Sequence, residues 1–404
     1  MSNGAPSIRL LAQAPHRLMF FIGASNLLLA MAWWSMWLAD ARWQWFGLHQ
    51  PQPYAGWLHA FVMQYQMLPS FMFGFLLTVF PRWMGLPDLE RSRYLPVGLG
   101  LFSGQLATLL GAFGWKPGIV VGVVLTLGGW LTGIGHLLPL LWRERATTWH
   151  ARSCVAALAL GLAGLLAWLG FLMTEAPLLA FASIKVGTFG LLLPIYLAVA
   201  HRMFPFFAGG VVPGYQPWRP MWLLAAFWVL VLAHLLLELV HAYGWLWLAD
   251  LPLLALLLLA LWKWWPRGKA PGLLLVLFIG LAWLPVAIAL YAFQSIAYEV
   301  TGSFLLGRAP AHALFIGFFG SVLVAMVTRV TQGHSGQALV MPAAAWFAFA
   351  AIQVVAVMRV FAEVMPDGLA WKAAAAVGWL VAFLPWVARI AGIYLSPRSD
   401  GKPG

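Results

Sequence analysis

PGLLLVLFIGLAWLPVAIALYAF, residues 271–293, runs the length of a bilayer crossing without a charged side chain. At about 1.5 Å of rise per residue, a helix of that length covers the roughly 30 Å hydrocarbon core. A helix also satisfies its own backbone there, which an open strand or loop does not. Outward from this stretch the same composition recurs. Apolar runs separated by short connections predict spans at 17–38, 55–80, 95–114, 117–141, 153–173, 181–205, 220–241, 245–262, 271–293, 310–330, 341–361 and 369–394. The expected fold is an all-α polytopic membrane protein, a single bundle of about twelve transmembrane helices forming one transmembrane domain over residues 1–404.

Composition excludes the alternatives. The chain is 63% hydrophobic and 8% charged, whereas a soluble globular domain carries about a quarter charged residues. A net charge of +12 would suit nucleic acid, but the basic residues stand singly or in small groups between apolar spans. They therefore read as topology signals facing a lipid bilayer, with no nucleic-acid partner. With the N-terminus inside, seventeen of the 23 Lys and Arg fall on the cytoplasmic side, Arg145 and Lys402 among them, and five on the other. That asymmetry predicts an N-in, C-in orientation. Residues 1–15 lack a small-residue cleavage signature, so the first apolar run is expected to be a span rather than a removed signal.

Pro69, Pro194 and Pro285 are expected kinks, and Trp33, Trp34, Trp37, Trp245, Trp247, Trp262, Trp264 and Trp265 an interfacial belt. No long repeat is visible; His59-Ala60 and His312-Ala313 give only a faint echo between the second and tenth spans.

A single cysteine, Cys154, excludes an internal disulfide and a Cys-rich cluster, which leaves metal chemistry to His, Met and carboxylate. Orientation sorts eight of the ten histidines into two levels. His59, His234, His241 and His312 lie toward the outer ends of their spans; His16, His136, His201 and His334 lie toward the inner ends. Histidines at membrane depth are costly unless paired, ligated or facing a cavity. The set therefore suggests cofactors at two depths, with imidazole serving haem iron or copper; capping and hydrogen bonding to neighbours are the plainer role for some.

Spacing adds detail. His59, Met63 and Met67 recur every fourth residue and would share a helical face, either as an imidazole with soft thioethers or as ordinary packing. His234, Glu238 and His241 form one stripe, with Glu238 either accepting a hydrogen bond that anchors His234 or handling protons. Asp250 has no partner visible in sequence and is a second proton-handling candidate, or an interfacial group. His312 and His334 are 22 residues apart, about 33 Å along a helix, too far to serve one metal. Gly333 and Gly336 would turn the chain around His334. Arg329 suits a haem propionate or an interface equally. Arg359 and Glu363, four residues apart, would satisfy each other.

Two stretches carry a resemblance: Gly74-Phe75-Leu76-Leu77-Thr78-Val79-Phe80-Pro81-Arg82-Trp83, and the run from His312 through Thr328-Arg329 to Gly333-His334-Ser335-Gly336. They resemble the GFLLT…P.W and HA…G…MTR…GH[TS]G signatures of the NnrS family, and His201 to Phe207 is similar to its PFF segment. Length and motif order extend the resemblance over nearly the whole chain. The resemblance implies a bacterial cytoplasmic-membrane protein with haem b and copper, tied to nitric oxide and nitrosative stress. His59, His312, His334 and Arg329 match family positions. Phe61 and Val62 stand where the family's HxHE segment has its second histidine and glutamate.

The implied function is binding of, or response to, nitric oxide or a related small nitrogen species, with the enzymatic question open. The rivals are a nitric oxide reductase or oxidase drawing electrons from quinol, and a metal-free secondary transporter.

Overall fold

The computed structural model describes residues 6–144 and 146–400, so Arg145 and Lys402 of the basic set lie outside the described residues. Among those residues twelve helices are long and apolar enough to cross a membrane. They are α1 (Pro15–Trp43), α2 (Ala55–Trp83), α3 (Arg91–Ala112), α4 (Gly118–Arg143), α5 (Trp149–Thr174), α6 (Pro177–Gly209), α7 (Met221–Leu239), α8 (Tyr243–Trp264), α9 (Gly272–Thr301), α10 (Ala309–Ser335), α11 (Ala343–Phe361) and α12 (Gly368–Leu395). Each predicted span has its helix, and the chain is an all-α polytopic membrane protein.

Local chemistry sets the helix ends. α1 and α6 open on proline, whose missing N–H is no loss in a first turn. α1 closes where Asp40 accepts hydrogen bonds from the backbone N–H groups of Phe46, Gly47 and Leu48 at 2.6, 2.9 and 2.7 Å. Tryptophan divides in two. Trp262 is exposed and takes Lys263 and Arg267 against its ring at 4.5 and 5.0 Å. Trp264, expected in the interfacial belt, is instead core, its indole N–H donating to Trp218 O at 2.7 Å. Below it, Tyr215 in the α6–α7 connection donates to Trp264 O at 2.9 Å, and burial pushes its phenol up to about 12.

Three helices are interrupted by π-helical turns: Val62–Met67 in α2, Val186–Leu192 in α6 and Ala313–Gly320 in α10. They fall in every fourth span, a periodicity that no residue repeat announces. In α2 and α6 the π turn is followed at once by Leu68-Pro69 and Leu193-Pro194. A proline ring clashes with the carbonyl four residues back, and a widened turn relieves that clash. α2 and α10 also bury the largest share of their apolar stretches.

The chain divides into two compact units. The first takes the described residues of Met1–Leu191, Val330–Ala338 and Val387–Gly404. Its tightest pairing is α3 on α4, where Gly100, Gly104, Gly122 and Gly129 bring backbones together; a Cβ on Gly100 would stand 2.7 Å from Gly129 Cα. Small residues four apart allow this approach when lipid supplies no hydrophobic drive between helices. The second unit takes Leu192–Arg329 and Leu339–Trp386. There α9 packs on the π turn of α10, with Trp283 lying over Gly317 and donating to Gln353 Oε1 at 2.6 Å.

Candidate functional site

In the first unit, His16 from the start of α1 and His334 from the end of α10 meet with ring centroids 4.3 Å apart and planes tilted by 37°. His16 is buried, and its Nδ1 has no hydrogen-bond partner. Arg82, at the end of α2, places Nη1 3.4 and 3.5 Å from the two nitrogens of His334 and also reaches Asp88 at 3.4 Å. Arg17 ties the neighbourhood together by donating to Ile393 O at 3.2 Å, to Gln13 Oε1 at 3.1 Å and to Ser396 O. Phe20 stands edge-on to His16 at 6.4 Å and packs on Phe71 at 5.8 Å, an apolar wall beside the imidazoles. The turn after His334 is made by Gly336 alone, at φ +73°; Gly333, expected to share it, lies inside the helix.

The other expected positions have local partners. His59 lies flat on Trp34, with centroids 4.2 Å apart and an 8° tilt. Met63 and Met67 are buried in the π turn, where residues four apart no longer stand one above another. Phe61 is stacked on Trp168 at 4.7 Å. His136 is half-buried on α4. His201 Nε2 lies 3.1 Å from Pro220 O. His312 Nδ1 lies 2.9 Å from Arg308 O. The Arg329 guanidinium lies over the Phe207 ring at 3.9 Å.

The second unit contains an ionisable cluster. His234 of α7 is fully buried, with Nδ1 2.6 Å from Asp250 Oδ1 of α8 and Nε2 3.6 Å from Glu238 Oε1, one turn along α7. Asp250, without a visible partner in sequence, is thus paired across helices. Tyr291 of α9 sets its ring edge-on to the imidazole at 5.2 Å. His241 leaves this stripe: α7 ends at Leu239, and His241, at φ 59°, meets the Tyr243 hydroxyl at 2.6 Å.

A neutral seam in the first unit was not anticipated from the sequence. Gln64 donates to Thr188 Oγ1 at 2.9 Å, and Gln66 to Thr108 and Thr126 Oγ1 at 2.8 and 3.0 Å. Gln105 donates to Asn26 O at 2.6 Å, and the Tyr65 hydroxyl to Ser183 O at 2.6 Å. Gly187 and Gly164 make room for Gln64 and Tyr65, since a Cβ at either would stand 2.2 or 2.1 Å from the incoming oxygen. The available signal was Asn26, Gln64, Gln66 and Gln105 deep within apolar runs.

Among the described residues no three His, Cys, Asp or Glu side chains are grouped to hold a metal ion. In the His234 cluster the reason is visible: the carboxylates face opposite edges of the ring and do not converge. Against known proteins, residues 10–398 match the sequence model of a family described as NnrS protein. No curated protein matches the chain.

Proposed function

Starting from a chain that belongs to the NnrS family, we propose that it is a bacterial inner-membrane protein that binds haem b beside the His16–His334 pair and responds to nitric oxide, guarding against nitrosative stress. The carrying observation is that two imidazoles from opposite ends of the sequence meet at 4.3 Å, one of them with a buried nitrogen lacking a partner. Such a nitrogen would suit a donor to haem iron, and the Arg82 guanidinium alongside would suit a propionate. The separation is that of a stack, so the pair as placed would offer the group one imidazole rather than two. Haem iron, when bound, would supply the affinity for nitric oxide. The protein's part is to present a neutral imidazole, balance carboxylate charge with Arg82, and wall the position with Phe20 and Phe71, which admit a small apolar gas more readily than an anion. Among the described residues no comparable donor set for copper is found: His59 is stacked on Trp34, and Phe61 fills the neighbouring position of the resemblance.

An optical spectrum of the purified protein tests the reading. A Soret band that shifts with nitric oxide and disappears in His16→Ala, which removes the partnerless nitrogen, while His312→Ala retains it, is the expected result. A wild-type spectrum with no Soret band overturns it and leaves a metal-free transporter; oxidation of added quinol by nitric oxide would mark turnover. The seventeen-to-five distribution of Lys and Arg supports the N-in, C-in orientation. Tags beside Arg267 and Lys372 are expected on the cytoplasmic and opposite faces respectively.

A further inference from the structure

The His234 cluster is separate from the proposed haem position and independent of that reading. Each imidazole nitrogen faces a carboxylate oxygen, Asp250 at 2.6 Å and Glu238 at 3.6 Å. With both edges facing acceptors, the ring is best satisfied when both nitrogens carry protons. The resulting cation balances one carboxylate. A second ionised carboxylate would leave a net negative charge among apolar helices, where uncompensated charge is costly. One further proton makes the cluster neutral. Asp250 holds the short contact to the ring at 2.6 Å, so the extra proton falls to Glu238, whose contact to the ring is the longer at 3.6 Å. A buried acceptor also remains in the cluster, because Asp250 Oδ2 has no hydrogen-bond partner.

An exposed pair of titratable side chains lies one turn away. The backbone N–H of His241 donates to the backbone carbonyl of Glu238 at 3.0 Å, which fixes His241 next to the end of α7, and the exposed His241 side chain meets Tyr243 OH at 2.6 Å. The surrounding ionisable groups are Tyr291 on α9, Tyr243 at the start of α8 with Tyr298 of α9 packed on it, His241 in the connection, and Glu299 of α9, which lies against Gly244.

We propose that His234, Glu238 and Asp250 form a buried proton-binding site, in which Glu238 takes up and releases one proton exchanged with the aqueous face at the α7–α8 connection through His241 and Tyr243. The step moves a proton between solvent and a carboxylate oxygen; no electron moves and no heavy-atom bond changes. Metal chelation is disfavoured because the two carboxylates do not converge.

Infrared spectroscopy of the full-length protein in lipid, without regard to haem content, tests the proposal. At neutral pH the wild type should show a protonated carboxyl stretch that shifts in deuterated water. Glu238→Gln should abolish that stretch, and Asp250→Asn should retain it at a displaced frequency. Absence of the stretch from the wild type, or its survival unchanged in Glu238→Gln, would overturn the proposal. The double variant His241→Asn/Tyr243→Phe, altered at the periphery of the cluster, should keep the stretch but slow its deuterium exchange on the order of a hundredfold, the scale of a lost proton-transfer group. Unchanged exchange would overturn the route.

Discussion

The two units bury polar groups in opposite ways. In the first, Gln64, Gln66, Gln105 and Tyr65 are held by hydroxyl and carbonyl oxygens, and no member of the seam is charged at neutral pH. In the second, His234 is held between Asp250 and Glu238. A neutral amide that donates to hydroxyl and carbonyl oxygens behaves much the same in acid and alkali, so the seam locks helices. The ionisable cluster changes its net charge with each proton, so on our proposal it stores a proton as well as joining α7 to α8. Apolar surroundings then make the first a fastener and the second a proton-binding site.

The largest expected effect comes from breaking the ionisable side. Asp250→Ala leaves His234 buried without its short partner and should cost about 3–5 kcal/mol, as when one member of a buried pair is removed. Asp250→Asn should cost distinctly less because an acceptor remains. Thermal unfolding in lipid or detergent checks the order, and equal loss in both variants would erase the charge argument.

A smaller effect follows on the neutral side. Gln66→Leu removes bonds to Thr108 and Thr126 and should cost about 1 kcal/mol, in keeping with hydrogen bonds between membrane helices. Thr108→Val added to Gln66→Leu should then cost little more, since the partner is already lost. The contrast sharpens with pH: the cost of Gln66→Leu should stay level from acid to alkaline conditions, whereas that of Asp250→Asn should vary.

The smallest effect is expected at the ion pair after α11. Burial raises the Glu363 carboxyl, but Arg359 at 2.7 Å and Lys372 at 3.2 Å outweigh it and hold the group below the usual glutamate range. A lowered folded-state value gives stability that is present above the unfolded-state value and lost as pH falls through the folded one. The melting difference between wild type and Glu363→Gln should therefore be present at neutral pH and close in acid. A gap that widened in acid would contradict the pairing.

Particular residues show how far the sequence was legible. Arg359 and Glu363 were readable because four residues make one turn. His234 and Glu238 were readable as a stripe for the same reason, but Asp250 comes from another helix, so its role waited on packing. His16 and His334 were both assignable to one level from topology, yet their meeting depends on how α1 and the end of α10 pack. The π turns left a partial trace, since Pro69 and Pro194 marked disruption without its form, and the turn in α10 has no following proline. Gly333 was misread because glycine permits a turn without requiring one.

By itself the sequence determined the twelve apolar crossings, because hydrocarbon demands long uncharged helices whatever their neighbours do. Its motifs also determined the family. Tertiary structure alone decided which buried polar groups meet: the amides with threonines, His16 with His334, and His234 with Asp250. Those pairings depend on distances of a few ångströms between helices far apart in the chain, and hydropathy carries no record of such distances.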